Sequence, residues 1–199
     1  MQASISRRDR IGPNAVLQVI ESVTARFGRG ATGALFHAAG LSHHLAQRPD
    51  TMVSERDVAV LQLQLRETFG PDLAKEIAWD AGCRTGDYLL AHRIPTFAQV
   101  VLRFVPASIA GRVLAKAIGK HSWTFVGSGT FRMTPGKPFV FSIQSNPICS
   151  KISSDVPVCD YYAGTFERIF RVVVHPNSRV KEVACESTGA AACVFEITW

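Results

Sequence analysis

Apolar residues recur at helical spacing through the first 120 positions and then change to strand-like alternation. Val16, Ile20, Val23 and Phe27 follow Pro13 at spacings of 4, 3 and 4, which predicts a helix of about three turns that Gly28 and Gly30 stop. A second helix is expected over about 31–39, with His43 and His44 in the loop beyond. Ser54 and Asp57 form a reduced capping box that opens a helix through Val58, Leu61, Leu65 and Phe69, ended by Gly70. Pro71 and Asp72 start the next, from Leu73 to about His92. It contains Gly82 and Gly86 on one face. Each costs a helix about 1 kcal/mol relative to Ala, so the pair predicts close approach of another backbone or of a ligand.

Pro95 breaks the pattern, a short apolar helix follows with Phe97, Val100, Val101 and Phe104, and after Pro106 a last one carries Ile109, Val113 and Ala117. On its other face Arg112, Lys116 and Lys120 repeat every four residues as a basic ridge. From Trp123 the period is two. Residues 123–126 and 130–133, a turn at Pro135, Gly136 and Lys137, and Phe139, Phe141 and Ile143 predict a hairpin. Residues 145–158 read as loop, 159–175 as a helix through Tyr162, Phe166, Ile169 and Phe170, and 180–186 with 192–198 as a second hairpin. The order helices, β-hairpin, helix, β-hairpin predicts an α+β fold, with N-terminal helices packed on an antiparallel sheet of about four strands. No linker or internal repeat interrupts it, so residues 1–199 are read as a single domain, helical over 1–120 and ββαββ over 121–199.

Charge sharpens this picture. The chain has 22 Lys+Arg against 16 Asp+Glu, a formal +6, and 47% hydrophobic residues, enough for a sizeable core. The excess is local: the 67 residues from Tyr88 to Ser154 hold eight cations and no carboxylate, and the remainder is slightly acidic. A general nucleic-acid coating is therefore excluded as a description of the chain. The carboxylate-free stretch is rich in aromatics, including Phe97, Phe104, Trp123, Phe125, Phe139 and Phe141, which suits a flat anionic ligand or an anionic membrane. The bland alternative for the ridge is a solvated helix face.

Arg7, Arg8 and Arg10 lead into Ile11, Gly12, Pro13 and Asn14 rather than an apolar run, so no export signal is expected. Five cysteines, an odd number, fit a reducing compartment. Three of them, Cys159, Cys185 and Cys193, converge in the expected fold, with Glu182 nearby; buried thiols serving as small apolar groups are the competing reading. Glu182 and Cys185 point to opposite faces of a regular strand, so joint ligation requires a bulge between them. Cys83 has no His at i+4 and reads as a packed thiol. His92, Arg93, His121 and His43–His44 are candidate polar groups of a pocket. Gly127-Ser128-Gly129 lacks the third glycine of a dinucleotide fingerprint, and no P-loop or G-x-S-x-G is present.

The segments Ala81-Gly82-Cys83-Arg84-Thr85-Gly86-Asp87-Tyr88-Leu89-Leu90, His92-Arg93-Ile94-Pro95, His121-Ser122-Trp123-Thr124-Phe125 and 159–167, CDYYAGTFE, together resemble the bacteriochlorophyll 4-vinyl reductase family. The C-terminal Cys185-x-x-x-Gly189-x-x-x-Cys193-x-Phe195 is similar to the end of the wider vinyl-4-reductase domain, which also serves as the ligand-sensing part of phenol-responsive activators. The resemblance implies a fold related to TRAPP subunits and a pocket for an aromatic or tetrapyrrole ligand. It also implies a structural zinc: the sensor branch holds zinc by three Cys and one Glu, which at matching positions are Cys159, Glu182, Cys185 and Cys193. His92, Arg93, His121, Trp123, Phe125, Phe139 and Phe141 are the ligand-binding candidates, and Arg112, Lys116 and Lys120 the anionic-surface ridge.

The family's reaction reduces the 8-vinyl group (4-vinyl in older numbering) of a chlorophyll precursor and needs a nicotinamide, flavin or iron–sulfur donor, for which no motif is readable; the cysteines are too few and wrongly spaced for an iron–sulfur cluster with four Cys ligands. The expected role is therefore a carrier or assembly factor for a Mg-tetrapyrrole of protochlorophyllide type. The alternatives are the reductase itself, or a small-aromatic sensor or interaction module. The expected partners are the pigment and other bacteriochlorophyll enzymes, with no nucleic acid. A homodimer and a contact peripheral to the photosynthetic membrane stay open. The expected location is cytoplasmic.

Overall fold

A computed structural model describes residues 9–199 of the chain. Arg7 and Arg8 of the N-terminal reading lie outside the described residues. A two-stranded pairing of β1 (Arg10–Ile11) with β2 (Val53–Ser54) ties the start of the chain to the long helices. Those helices are α1 (Asn14–Ala38) and α3 (Glu55–His92), with the short α2 (His43–Ala46) between them. The glycine stops of the sequence pattern are kinks. Gly28 (φ 82°) and Gly70 (φ 77°) each take a non-helical conformation, after which the helix resumes, at Gly70 with Pro71 in the first turn of the new segment. The expected breaks are thus present locally, while stacking of Phe27 on Phe69, with ring centroids 4.9 Å apart, links the two kinks. Ser54 caps α3 by accepting a hydrogen bond from the Arg56 amide, whereas Asp57 pairs with His44 at 2.9 Å instead of reaching back to the cap.

Residues 130–134 and 139–144 form β3 (Thr130–Thr134) and β4 (Phe139–Gln144), followed by α6 (Asp160–Val173), β5 (Arg179–Ala184) and β6 (Cys193–Thr198). The sheet is antiparallel with strand order β3-β4-β6-β5, so the second hairpin joins the first through β4 and β6, with Phe141 opposite Phe195 and Ile143 opposite Cys193. Trp123 departs from the expected strand: residues 122–124 form a 3-10 turn. Alternating inward residues Phe139, Phe141 and Ile143 of β4 and Cys193, Phe195 and Ile197 of β6 are buried against α6. There Phe166 and Phe170 meet Phe141 edge to face at 5.0 and 5.7 Å.

α6 is also pressed onto α3. A methyl group at Gly82 would collide with the Tyr161 carbonyl, and one at Gly86 would lie 2.7 Å from the Arg168 Cβ. Gly164 answers from α6, where a Cβ would lie 2.6 Å from the Trp79 carbonyl. The close approach expected of the glycine pair is thus made by a helix backbone. Thr165 adds hydrogen bonds from its hydroxyl to the Gly82 and Tyr161 carbonyls, and Thr85 pairs with the Tyr161 hydroxyl at 2.8 Å.

α4 (Thr96–Arg103) and α5 (Ala107–Lys120) are the exception to inward burial. α5 packs through Ala110, Gly111, Leu114 and Ala115, with the Trp199 ring so close over Gly111 that a side chain there would crowd it. The expected stripe of Ile109, Val113 and Ala117 therefore faces outward, and so does the basic ridge Arg112, Lys116 and Lys120. No helix among the described residues is long and apolar enough to cross a membrane.

The α3–α6 contact can be tested against an open helical glycine. Gly82→Ala should lower the urea unfolding free energy by at least about 2 kcal/mol despite its better helix propensity. Gly33→Ala, at a position with no neighbour within 4 Å, should raise it by about 0.5–1 kcal/mol. Equal effects at both sites would remove the packing account.

Candidate metal centre

Four of the five cysteines meet at one end of the sheet. Cys159 precedes α6, where the positive helix end favours a thiolate. Cys185 follows β5, and Cys193 opens β6. Their Sγ atoms form a triangle with all three edges 3.6 Å. Cys149, carried by the loop between β4 and α6, lies 3.5 Å from Cys193. All four sulfurs lie within 4.8 Å of one another and all four residues are buried. One ion bound tetrahedrally at a metal–sulfur distance of about 2.3 Å sets its sulfurs about 3.8 Å apart, so the arrangement accepts a single cation with shifts of a few tenths of an ångström on these close edges. The fold thus brings together four cysteines of which Cys149 is not among the expected metal ligands.

Hydrogen-bond donors surround three of the sulfurs. Asn146 Nδ2 donates to Cys159 at 3.3 Å, the Glu186 amide to Cys193 at 3.4 Å, and the Ser187 hydroxyl to Cys185 at 3.1 Å. Such contacts stabilise anionic sulfur. Arg66 stands close by, donating to the Val158 carbonyl and lying 4.0 Å from Asp160. Burial lowers its pKa, against opposing attraction from Asp160, Cys159, Cys185 and Glu182. Burial also pushes the Cys159 thiol up, and hydrogen bonds from Cys149, Cys159 and Cys193 pull Cys185 down. Four adjacent thiols cannot all ionise by themselves, and a divalent cation is the group that changes this.

Glu182 lies beside the sulfurs. Its Oε2 accepts the Cys159 amide at 2.8 Å, and its Oε1 is buried without a partner among the described residues. Burial, then the charge of Cys185, pushes the carboxyl up to about 8. The register shift between Glu182 and Ala184 supplies the bulge that shared orientation of Glu182 and Cys185 requires. Thus Cys159, Cys185 and Cys193 come together with Glu182 adjacent, and Cys149 joins them from a loop in which no metal-ligand spacing is readable.

The pocket candidates do not gather. Phe139 and Phe141 are core residues, Phe125 is half-buried, and His92, Arg93, His121 and Trp123 are exposed. Two clefts of about 380 Å³ lie elsewhere, one beside Glu55, Ser145 and Glu186, the other beside Ser22, Glu76 and Asp80. His43 and His44 form a second cluster with Asp57, with His43 on the surface.

The vinyl-4-reductase domain family matches residues 139–199, the part containing the four cysteines. The chain is 47% identical over 189 residues, 94% of its length and 90% of the relative's, to the bacteriochlorophyll synthase 23 kDa chain of Cereibacter sphaeroides. To the protein of the same name from Rhodobacter capsulatus it is 38% identical, over 94% of this chain and 85% of that one. Among solved structures, an unliganded Fe(II) H-NOX protein from K. algicida has a TM-score of 0.60 at 10% identity, covering 94% of this chain and 96% of that one. An Fe(II)NO H-NOX protein from S. oneidensis scores 0.55 at 13% identity, covering 94% and 98%. These likenesses concern the fold.

Cys83 is set apart from the cluster, its thiol 3.8 Å from the Gly164 carbonyl, and burial with the nearby Asp80 pushes its pKa up to about 11. At pH 8 only on the order of a thousandth of it is thiolate, so peptide mapping should find its alkylation by iodoacetamide at least about tenfold slower than that of free cysteine. A rate matching free cysteine contradicts the burial argument.

Proposed function

The chain belongs to the family of the bacteriochlorophyll synthase 23 kDa chains and serves bacteriochlorophyll biosynthesis; on that premise we propose that it holds a Mg-tetrapyrrole intermediate of protochlorophyllide type and presents it for 8-vinyl reduction. In this reading the chain is a carrier or assembly factor, and its vinyl-4-reductase domain keeps its shape through a structural zinc at the cysteine cluster. Four protein ligands leave such a zinc no open position for substrate. The partner enzymes are those of the same synthesis, in keeping with relatives named as chains of a synthase.

The observation that carries the reading is the outward face of α4 and α5. Phe97 is 73% exposed and Phe104 86%, and Val100, Val101, Ile109 and Val113 are exposed as well. Six large apolar side chains open to water within seventeen residues are a binding surface in search of cover. Arg93, Arg103, Arg112, Lys116 and Lys120 lie on the same stretch, which has no carboxylate. A flat macrocycle bearing a propionate matches that combination: the ring covers the phenyl groups and the carboxylate meets a cation.

The same face suits an anionic bilayer, since cations beside exposed aromatics are also the pattern of an interfacial helix. Titration distinguishes the two. Protochlorophyllide added to the purified protein should shift its absorption at micromolar concentration, and Phe97→Ser with Phe104→Ser should weaken binding at least about tenfold. Neutralising Arg112, Lys116 and Lys120 together should weaken it further at low salt. Absence of any shift, with retention on phosphatidylglycerol vesicles, would favour the membrane. Anaerobic conversion of divinyl pigment to monovinyl product, with NADPH or reduced ferredoxin, would instead make the chain the reductase. Stabilisation by phenols and not by pigment would make it a sensor.

A further inference from the structure

The cluster offers five donors, while a tetrahedral ion takes four. We propose that Cys149 completes the coordination, making the centre a four-thiolate site, and that Glu182 supports it from outside the coordination shell. This rests on the metal reading of the cluster and assigns its fourth ligand.

Three observations favour the thiol. First, the Cys149 sulfur shares one 4.8 Å neighbourhood with the sulfurs of Cys159, Cys185 and Cys193, a group that Glu182 does not join. Its 3.5 Å edge to Cys193 is already near that of a tetrathiolate. Second, one oxygen of Glu182, Oε2, already accepts the Cys159 amide and so orients the residue that precedes α6, which leaves only Oε1 without a partner among the described residues. Ligation through Oε2 would put the ion in competition with the backbone donor. Third, the loop carrying Cys149 is built to stay in place. Asn146 is fully buried, its Oδ1 accepts the Ile148 amide at 3.0 Å, and its Nδ2 reaches the Cys159 sulfur. The Glu186 carboxylate accepts the amides of Ser145 and Asn146 at 2.6 and 2.7 Å, while the Glu186 amide donates to Cys193. One residue pair thus clamps the Cys149 loop to the turn that holds Cys185 and Cys193.

Four thiolates around a divalent ion carry a net charge of −2. The three donors already aimed at sulfur and the half-buried Arg66 oppose that charge. Among the described residues Cys149 alone of the four receives no N–H or O–H, and it instead donates toward the Asn146 carbonyl at 3.7 Å. It is therefore the least supported thiolate of the four, and the one whose loss the adjacent carboxylate can compensate.

X-ray absorption at the zinc edge of the full-length, zinc-loaded protein decides the assignment. Four sulfur neighbours at about 2.3 Å are expected, as against three sulfurs and one oxygen near 2.0 Å for the Cys₃Glu alternative. In the cobalt-substituted protein, Cys149→Ser should keep one equivalent of metal but lose about a quarter of the sulfur-to-metal charge-transfer intensity. Glu182→Gln should keep all of it. Three sulfurs in the parent protein, or intensity lost with Glu182→Gln and kept with Cys149→Ser, overturns the assignment and leaves the zinc reading standing. Failure of the parent protein to bind zinc or cobalt removes the centre itself, and the assignment with it.

Discussion

Helix α6 reaches the sheet and the cysteine cluster only because α3 lets it come within backbone distance. Gly82 and Gly86 remove the side chains that would hold the two helices apart, and Gly164 does the same from the other side. In exchange, the Thr165 hydroxyl bonds to the Gly82 carbonyl across the contact. Two aromatic layers then follow from one placement, since Tyr162 and Phe166 of α6 meet Phe125 on one side and Phe195 on the other. So does the position of Cys159, which lies at the start of the helix being pressed into place.

At the far end of the sheet, acidic side chains take the place that regular strands would fill elsewhere. Glu186 satisfies two consecutive amides of a loop in which Ser145 adopts a positive φ of 54°. Glu55, at the start of α3, takes the amide and hydroxyl of Ser128 at 2.7 and 2.8 Å. Both carboxylates accept from irregular backbone that has no ladder partner. The cluster is thereby fixed from three directions: the α6 end, the β5–β6 turn and the β4–α6 loop. A thiol set held in this way would need little rearrangement to bind a cation.

Helices α4 and α5 show where pattern reading loses its grip. Their apolar spacing is genuine, yet the surface that packs is made largely of alanines and a glycine, because the aromatic lid of Trp199 and Phe170 leaves little depth beneath α5. The larger side chains are left outside with the cations. A hydrophobic stripe predicts an apolar contact, and only its surroundings decide whether the contact is with the protein's own core or with something else.

Much of this protein was legible in its residues. The switch from helical to alternating periodicity separated the helices from the sheet, glycines at 82 and 86 called for a close partner, and the odd spacing of Glu182 and Cys185 called for the bulge that β5 contains. These are local properties, set by periodicity, steric volume and strand geometry. The centre's membership was not local. Cys149 sits in an irregular loop 44 residues from the sulfur it nearly touches, and no spacing rule connects them. The scatter of His92, His121, Trp123 and the two core phenylalanines had the same cause: residue types suited to a pocket were recognisable, but their common direction was not. Sequence determined which residues could ligate, pack or turn. Tertiary structure decided which of them share a point in space, because the loop contacts that bring Cys149 to Cys193 depend on side chains from elements far apart along the chain.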